Sequence, residues 1–151
     1  MTERKLPVGV QNFDQIINEA YLLVDKTEYI YKLVHTGKPY FLSRPRRFGK
    51  SLLLSTMKAY WEGKKELFRG LKIEELEKND PDAWQVYPVF YIDFNRDNYN
   101  GDEVLEGILE DHLAVWEGRY NVIPTSKQSL AVRFKRVIVE AAGQTGKKGV
   151  V

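Results

Sequence analysis

Three consecutive residues, Gly49-Lys50-Ser51, carry the clearest chemistry in the chain, with Arg46, Arg47 and Phe48 directly ahead of them. A glycine, a lysine and a hydroxyl in that order close the pattern G-x-x-x-x-G-K-[ST], which cradles phosphates. Each residue type has a physical reason. Glycine has no Cβ and lets the backbone come close to an anion. The lysine ammonium can reach between β- and γ-phosphates, and the hydroxyl oxygen can ligate Mg²⁺. Arginine forks match phosphate oxygens. Arg44 stands where the pattern opens with glycine, and Pro45 stiffens the next position. The residues expected to contact nucleotide are Arg46, Arg47, Phe48, Gly49, Lys50, Ser51 and Leu52, with Ser51 on Mg²⁺ and with ATP and Mg²⁺ as cofactors.

Such a loop works only between a strand and a helix. Residues 39–43, Pro-Tyr-Phe-Leu-Ser, form an apolar run that predicts a short buried parallel strand. The run from Leu52 to Trp61 predicts the helix that follows. The first N–H groups of that helix lack intrahelical partners, and its dipole is positive at that end, so both favour phosphate.

The remaining elements alternate in type. Phe13, Ile16, Ile17 and Ala20 predict a helix over 12–20, and Tyr21 to Val24 a short strand or extended segment. Asp25 or Thr27 is a cap for a helix burying Tyr29, Ile30, Leu33 and Val34, which Gly37 stops. A single turn over 64–71 and a short helix over 73–78 follow, broken at Asn79-Asp80-Pro81-Asp82. Residues 88–94, Pro-Val-Phe-Tyr-Ile-Asp-Phe, predict a second strand. Val104, Ile108, His112, Trp116 and Tyr120 lie on one stripe of a long helix. Ser126 is a candidate cap for a last helix burying Leu130, Phe134, Val137, Ile138 and Ala141. Alternating strands and helices predict an α/β fold, a three-layer P-loop NTPase type with a parallel sheet. Residues 1–38 then make an N-terminal helical segment and residues 39–151 the P-loop core, with ligand at the carboxyl end of the strand.

Hydrolysis needs a second acid on a strand end, to hold Mg²⁺ and set the attacking water. Asp93, at the end of Phe90-Tyr91-Ile92-Asp93, is one candidate. The preferred alternative is that this strand has only begun at Gly149-Val150-Val151 and is cut off before its acid. The chain is then expected to bind nucleotide without hydrolysing it.

Composition narrows the classes. At 151 residues the chain is long enough for one domain with a real core. It contains no cysteine, which excludes disulfides, zinc-thiolate sites and thiol nucleophiles. No stretch reads as a signal peptide or a membrane span, so a cytoplasmic location is expected. The net charge of +2 is too balanced to argue for nucleic acid by itself. Tyr87, Tyr91 and Tyr99 near Arg96 fit core packing better than a stacking surface. His112 reads as a core histidine, and His35 sits where a helix end favours a cation. Two other readings of the loop stay open. One is an interaction module that keeps the loop but binds no nucleotide. The other is a nucleic-acid binder using Arg44, Arg46 and Arg47. A homo-oligomer or a partner protein suits any of them.

Several stretches together resemble a known family. They are Leu6-Pro7-Val8-Gly9, Tyr21-Leu22-Leu23-Val24-Asp25-Lys26-Thr27, the loop FLSRPRRFGKSLLLSTM, the stretch WEGKKELFRGL and the run PVFYIDFN. In these the chain is similar to the bacterial AAA-ATPase-like proteins over nearly its whole length. The resemblance implies an ATPase in full-length form, and it makes arginine usual in place of the first glycine. It also implies a later strand closing in Asp-Glu-Tyr-Asp and, in many members, a C-terminal nuclease-like domain of the PD-(D/E)XK type. Neither lies within this sequence, so hydrolysis and nuclease activity do not carry over, and the resemblance brings in nucleic acid through the full-length protein. By analogy with related ATPases, Asp25, Lys26 and Tyr29 are candidates for a place near the adenine base, but a capped surface helix is the preferred reading of them.

Overall fold

The computed structural model describes residues 4–94, 102–124 and 128–151, with only the backbone of 102 and 103. The expected turn over 95–101, Arg96, Tyr99 and the cap at Ser126 lie outside the described residues. The chain divides into two compact units, Met1–Val86 and Tyr87–Val151.

The first unit is helical. Helix α1 (Phe13–Asn18) is capped by the Asn12 side chain, which accepts from the Gln15 N–H. Helix α2 (Thr27–Thr36) ends at Gly37, which takes the left-handed conformation at φ 61°. Helix α3 (Lys50–Trp61) follows the glycine-lysine-serine loop. A 3₁₀ turn (Lys65–Phe68) and helix α4 (Lys72–Leu76) complete the unit. Its core joins Phe13, Ile30, Ala59, Tyr60, Leu67, Phe68 and Ile73. The Phe13 and Phe68 rings lie 4.8 Å apart between centroids.

Buried polar groups tie these helices together. Thr27 Oγ1 donates to Asp25 Oδ1 and accepts from the Ile73 N–H, so a buried hydroxyl closes one orphan donor of α4. Asp25 Oδ2 takes the Lys72 N–H. Partial burial pushes the Asp25 carboxyl up, but the Thr27 and Lys72 N–H donors outweigh it and hold it below its ordinary value. Asp25 is thus committed to joining α2 and α4. The α3 hydroxyl Ser55 Oγ accepts from the Phe13 N–H at 3.0 Å and anchors α3 against α1.

The second unit pairs α5 (Asp102–Arg119) with α6 (Leu130–Thr145). Phe90, Leu113, Trp116, Tyr120, Val137 and Ala141 form its core. Phe90 is 1% exposed, with its ring edge-on to Trp116 at 5.2 Å. His112 stacks on Trp116 at 5.5 Å, in line with a packed rather than ligating histidine.

The parallel sheet expected from the sequence is not there. Among the described residues no strand forms, and the architecture is helical. The run over 39–43 forms no regular element and is exposed, with Phe41 95% open to solvent, where a central strand would bury both faces. The run over 88–94 makes a single parallel bridge, Val89 to Val150, through Phe90 N–H to Val150 O at 2.7 Å and Val150 N–H to Pro88 O at 2.8 Å. The physical reason is that a strand exists only through its neighbours. An apolar run supplies the propensity, but the ladder needs partners distant in sequence. No helix among the described residues is long and apolar enough to cross a membrane.

Candidate functional site

The loop ahead of α3 is shaped by two left-handed residues. Arg47 has φ 67° and Gly49 has φ 75°. Glycine adopts that conformation freely, and an arginine does so only at a tight turn. Arg46 and Arg47 form the turn, with Phe48 exposed beside them. Gly49 occupies the N-cap of α3 and makes no side-chain cap, so no side chain there shields the N–H groups of the first turn. A Cβ built on Gly49 would meet nothing within 4 Å, so the glycine serves backbone conformation and not a crowded contact.

Lys50 turns back over this loop. Its ammonium donates to the Arg44 carbonyl at 2.5 Å and the Pro45 carbonyl at 2.9 Å. An ammonium carries three donors, so one is left for another acceptor. The Pro45–Arg46 peptide is trans, and its carbonyl faces Lys50. The Arg46 N–H on the same plane therefore points away from the ammonium. Arg44, Arg46 and Arg47 are all exposed and form no salt bridge among the described residues. Ser51 is half-buried in the first turn. Leu52 packs against the core of the first unit, and its carbonyl accepts from Ser55 and Thr56 hydroxyls. Leu52 thus anchors the helix, while Arg46, Arg47, Gly49 and Lys50 form the accessible rim.

The donor set suits a polyphosphate: an ammonium, three guanidinium groups and a helix N-terminus lie within one short segment. It suits a bare divalent cation less. Residues 44–52 contain no carboxylate, so Ser51 supplies a single oxygen and the phosphates would have to supply others. Asp93 and the loop fall in different compact units. The Asp93 main chain meets His112 Nε2 at 3.3 Å.

Two groupings escaped the sequence reading. His35, Glu77 and Asp80 come together in the first unit, and Glu117 pairs with Arg133 in the second. No spacing rule links residues 42 positions apart, as His35 and Glu77 are, so only folding reveals the first.

Comparison with known proteins agrees with the resemblance read from the sequence. The chain is 36% identical, over its whole length, to a protein of Azotobacter chroococcum mcd 1 described as "Uncharacterized protein in vnfD 5'region". It spans 28% of that relative's length. No solved structure matches it. Residues 7–151 match the family described as "Predicted AAA-ATPase". The chain therefore belongs to the predicted AAA-ATPase family.

Proposed function

We propose that the loop over 44–51 binds the phosphates of ATP, with Mg²⁺ carried on those phosphates and touching Ser51. One observation carries this reading. Lys50 and an α3 N-terminus without a side-chain cap are held in the same turn by a left-handed glycine. The family's description as predicted AAA-ATPases supports nucleotide use. The third donor of Lys50 meets a phosphate oxygen, and Arg46 and Arg47 close on the others. Bound Mg²⁺ neutralises phosphate charge. In this reading residues 44–51 orient the phosphates and, holding no carboxylate, supply no base for an attacking water themselves.

Titration with a non-hydrolysable ATP analogue, with and without Mg²⁺, tests the proposal. Wild-type chain should bind and rise in thermal stability. Lys50→Ala should lose affinity at least about tenfold, as expected when a charged hydrogen bond of about 1.5–3 kcal/mol is removed. Equal binding by both proteins, or none by either, would favour an interaction module that uses the loop for structure alone.

A further inference from the structure

Glu77 is 2% exposed, and its Oε2 has no hydrogen-bond partner. A carboxylate oxygen buried without a donor is costly, because desolvation is not compensated. Its other oxygen is well served. Tyr60 donates its hydroxyl to Oε1 at 2.7 Å, and His35 Nε2 lies 3.0 Å from the same atom. Asp80 Oδ2 lies 3.9 Å from His35 Nε2. One ligand atom from each of His35, Glu77 and Asp80 falls within 4.8 Å of the others.

We propose that His35, Glu77 and Asp80 form a binding site for one divalent transition-metal ion of the Zn²⁺ class. The spacing argues for it. Ligands about 2.1 Å from a tetrahedral Zn²⁺ stand about 3.4 Å apart. The observed 3.0 Å from His35 Nε2 to Glu77 Oε1 and 3.9 Å to Asp80 Oδ2 bracket that value, and all three ligand atoms lie within 4.8 Å of one another. The ligand chemistry argues for it too. One imidazole nitrogen and two carboxylates suit zinc, whereas a site for Mg²⁺ would be all oxygen. An ion on Oε1 would also offset the carboxylate charge that the unpartnered Oε2 leaves buried. The Tyr60 hydroxyl then acts as the outer hydrogen bond that fixes the Glu77 carboxylate. A cleft of about 630 Å³, lined in part by Glu77 and Asp80 but not by His35, opens beside two of the three ligands. The three ligands come from the end of α2, the C-cap of α4 and the loop after it. The ion would therefore clamp two helices to one loop. This site owes nothing to the nucleotide loop, and either can stand without the other.

Chelator-treated chain titrated with Zn²⁺ alone, by calorimetry and thermal unfolding without nucleotide, tests it. One ion per chain and a raised Tm are expected. Asp80→Asn and His35→Asn should each weaken binding by about tenfold or more. Glu75→Gln, an exposed carboxylate on the same cleft, should keep wild-type affinity. Circular dichroism reports whether each variant is folded. Asp80 is partly exposed and tolerates substitution, so Asp80→Asn decides alone if His35→Asn fails to fold. No saturable binding by wild-type chain, or undiminished affinity in Asp80→Asn, overturns the proposal. An equal loss in Glu75→Gln overturns it as well, because binding would then be diffuse surface attraction.

Discussion

Arg133 grips both carboxylate oxygens of Glu117 with one edge of its guanidinium, Nε to Oε1 at 2.9 Å and Nη2 to Oε2 at 2.8 Å. Glu117 is 3% exposed, so the pair sits inside the α5–α6 contact and not on its rim. The Arg133 hydrogen bond holds the Glu117 carboxyl below the ordinary carboxylate range, against the opposing push of burial. Removing one partner strands the other. Arg133→Met should destabilise the chain by about 3 kcal/mol at neutral pH, read from urea unfolding.

The same pair gives a pH dependence with a definite sign. The unfolded glutamate titrates near about 4.3, and the folded one lower. Its stabilisation is therefore complete above that unfolded value and is lost as pH falls through the folded value. Arg133→Met should cost less at pH about 3.5 than at pH 7, because protonation removes the stranded charge. A penalty that does not change between the two would mean that packing, not charge, explains the loss.

Gly49 tests the backbone argument for the loop. Its φ of 75° is unfavourable for a residue with a Cβ, yet nothing lies within 4 Å of where that Cβ would go. Gly49→Ala should cost about 1 kcal/mol from backbone strain alone. Gly49→Asn should cost less, because asparagine tolerates the left-handed region. Chemical denaturation of both variants checks the order, and the reverse order would point to a contact in place of a conformation.

Phe41 tests the absence of a buried strand. With the ring 95% exposed, Phe41→Ser should change stability by less than about 0.5 kcal/mol. A central strand that buried the same ring would lose about 3 kcal/mol or more. Unfolding midpoints of wild type and variant tell the two apart.

Tyr60→Phe deletes the hydroxyl that donates to buried Glu77. Burial, with Glu77 beside it, holds the Tyr60 phenol well above its ordinary value, so it stays a donor across the working pH range. The variant should lose about 1–2 kcal/mol by thermal or urea unfolding. No loss would show that His35 alone satisfies the carboxylate.

Local order was readable before folding was considered. Gly37 as a stop and the helix expected over Leu52–Trp61, observed as Lys50–Trp61, are decided within a few residues, by side chains and glycine acting on neighbouring backbone. The stripe Ile108-His112-Trp116-Tyr120 announced α5 because helical periodicity is also local. The Gly49-Lys50-Ser51 pattern could be read for the same reason, its parts being adjacent in the chain.

Pairings between distant residues were decided only in three dimensions. The runs over 39–43 and 88–94 have strand-like composition, but a ladder depends on partners far along the chain, and among the described residues only Val89 found one, in Val150. The Glu117–Arg133 fork and the meeting of His35, Glu77 and Asp80 have the same origin. Each depends on which surfaces the helices bury against one another, and that is a property of the packed chain that no short window of sequence contains.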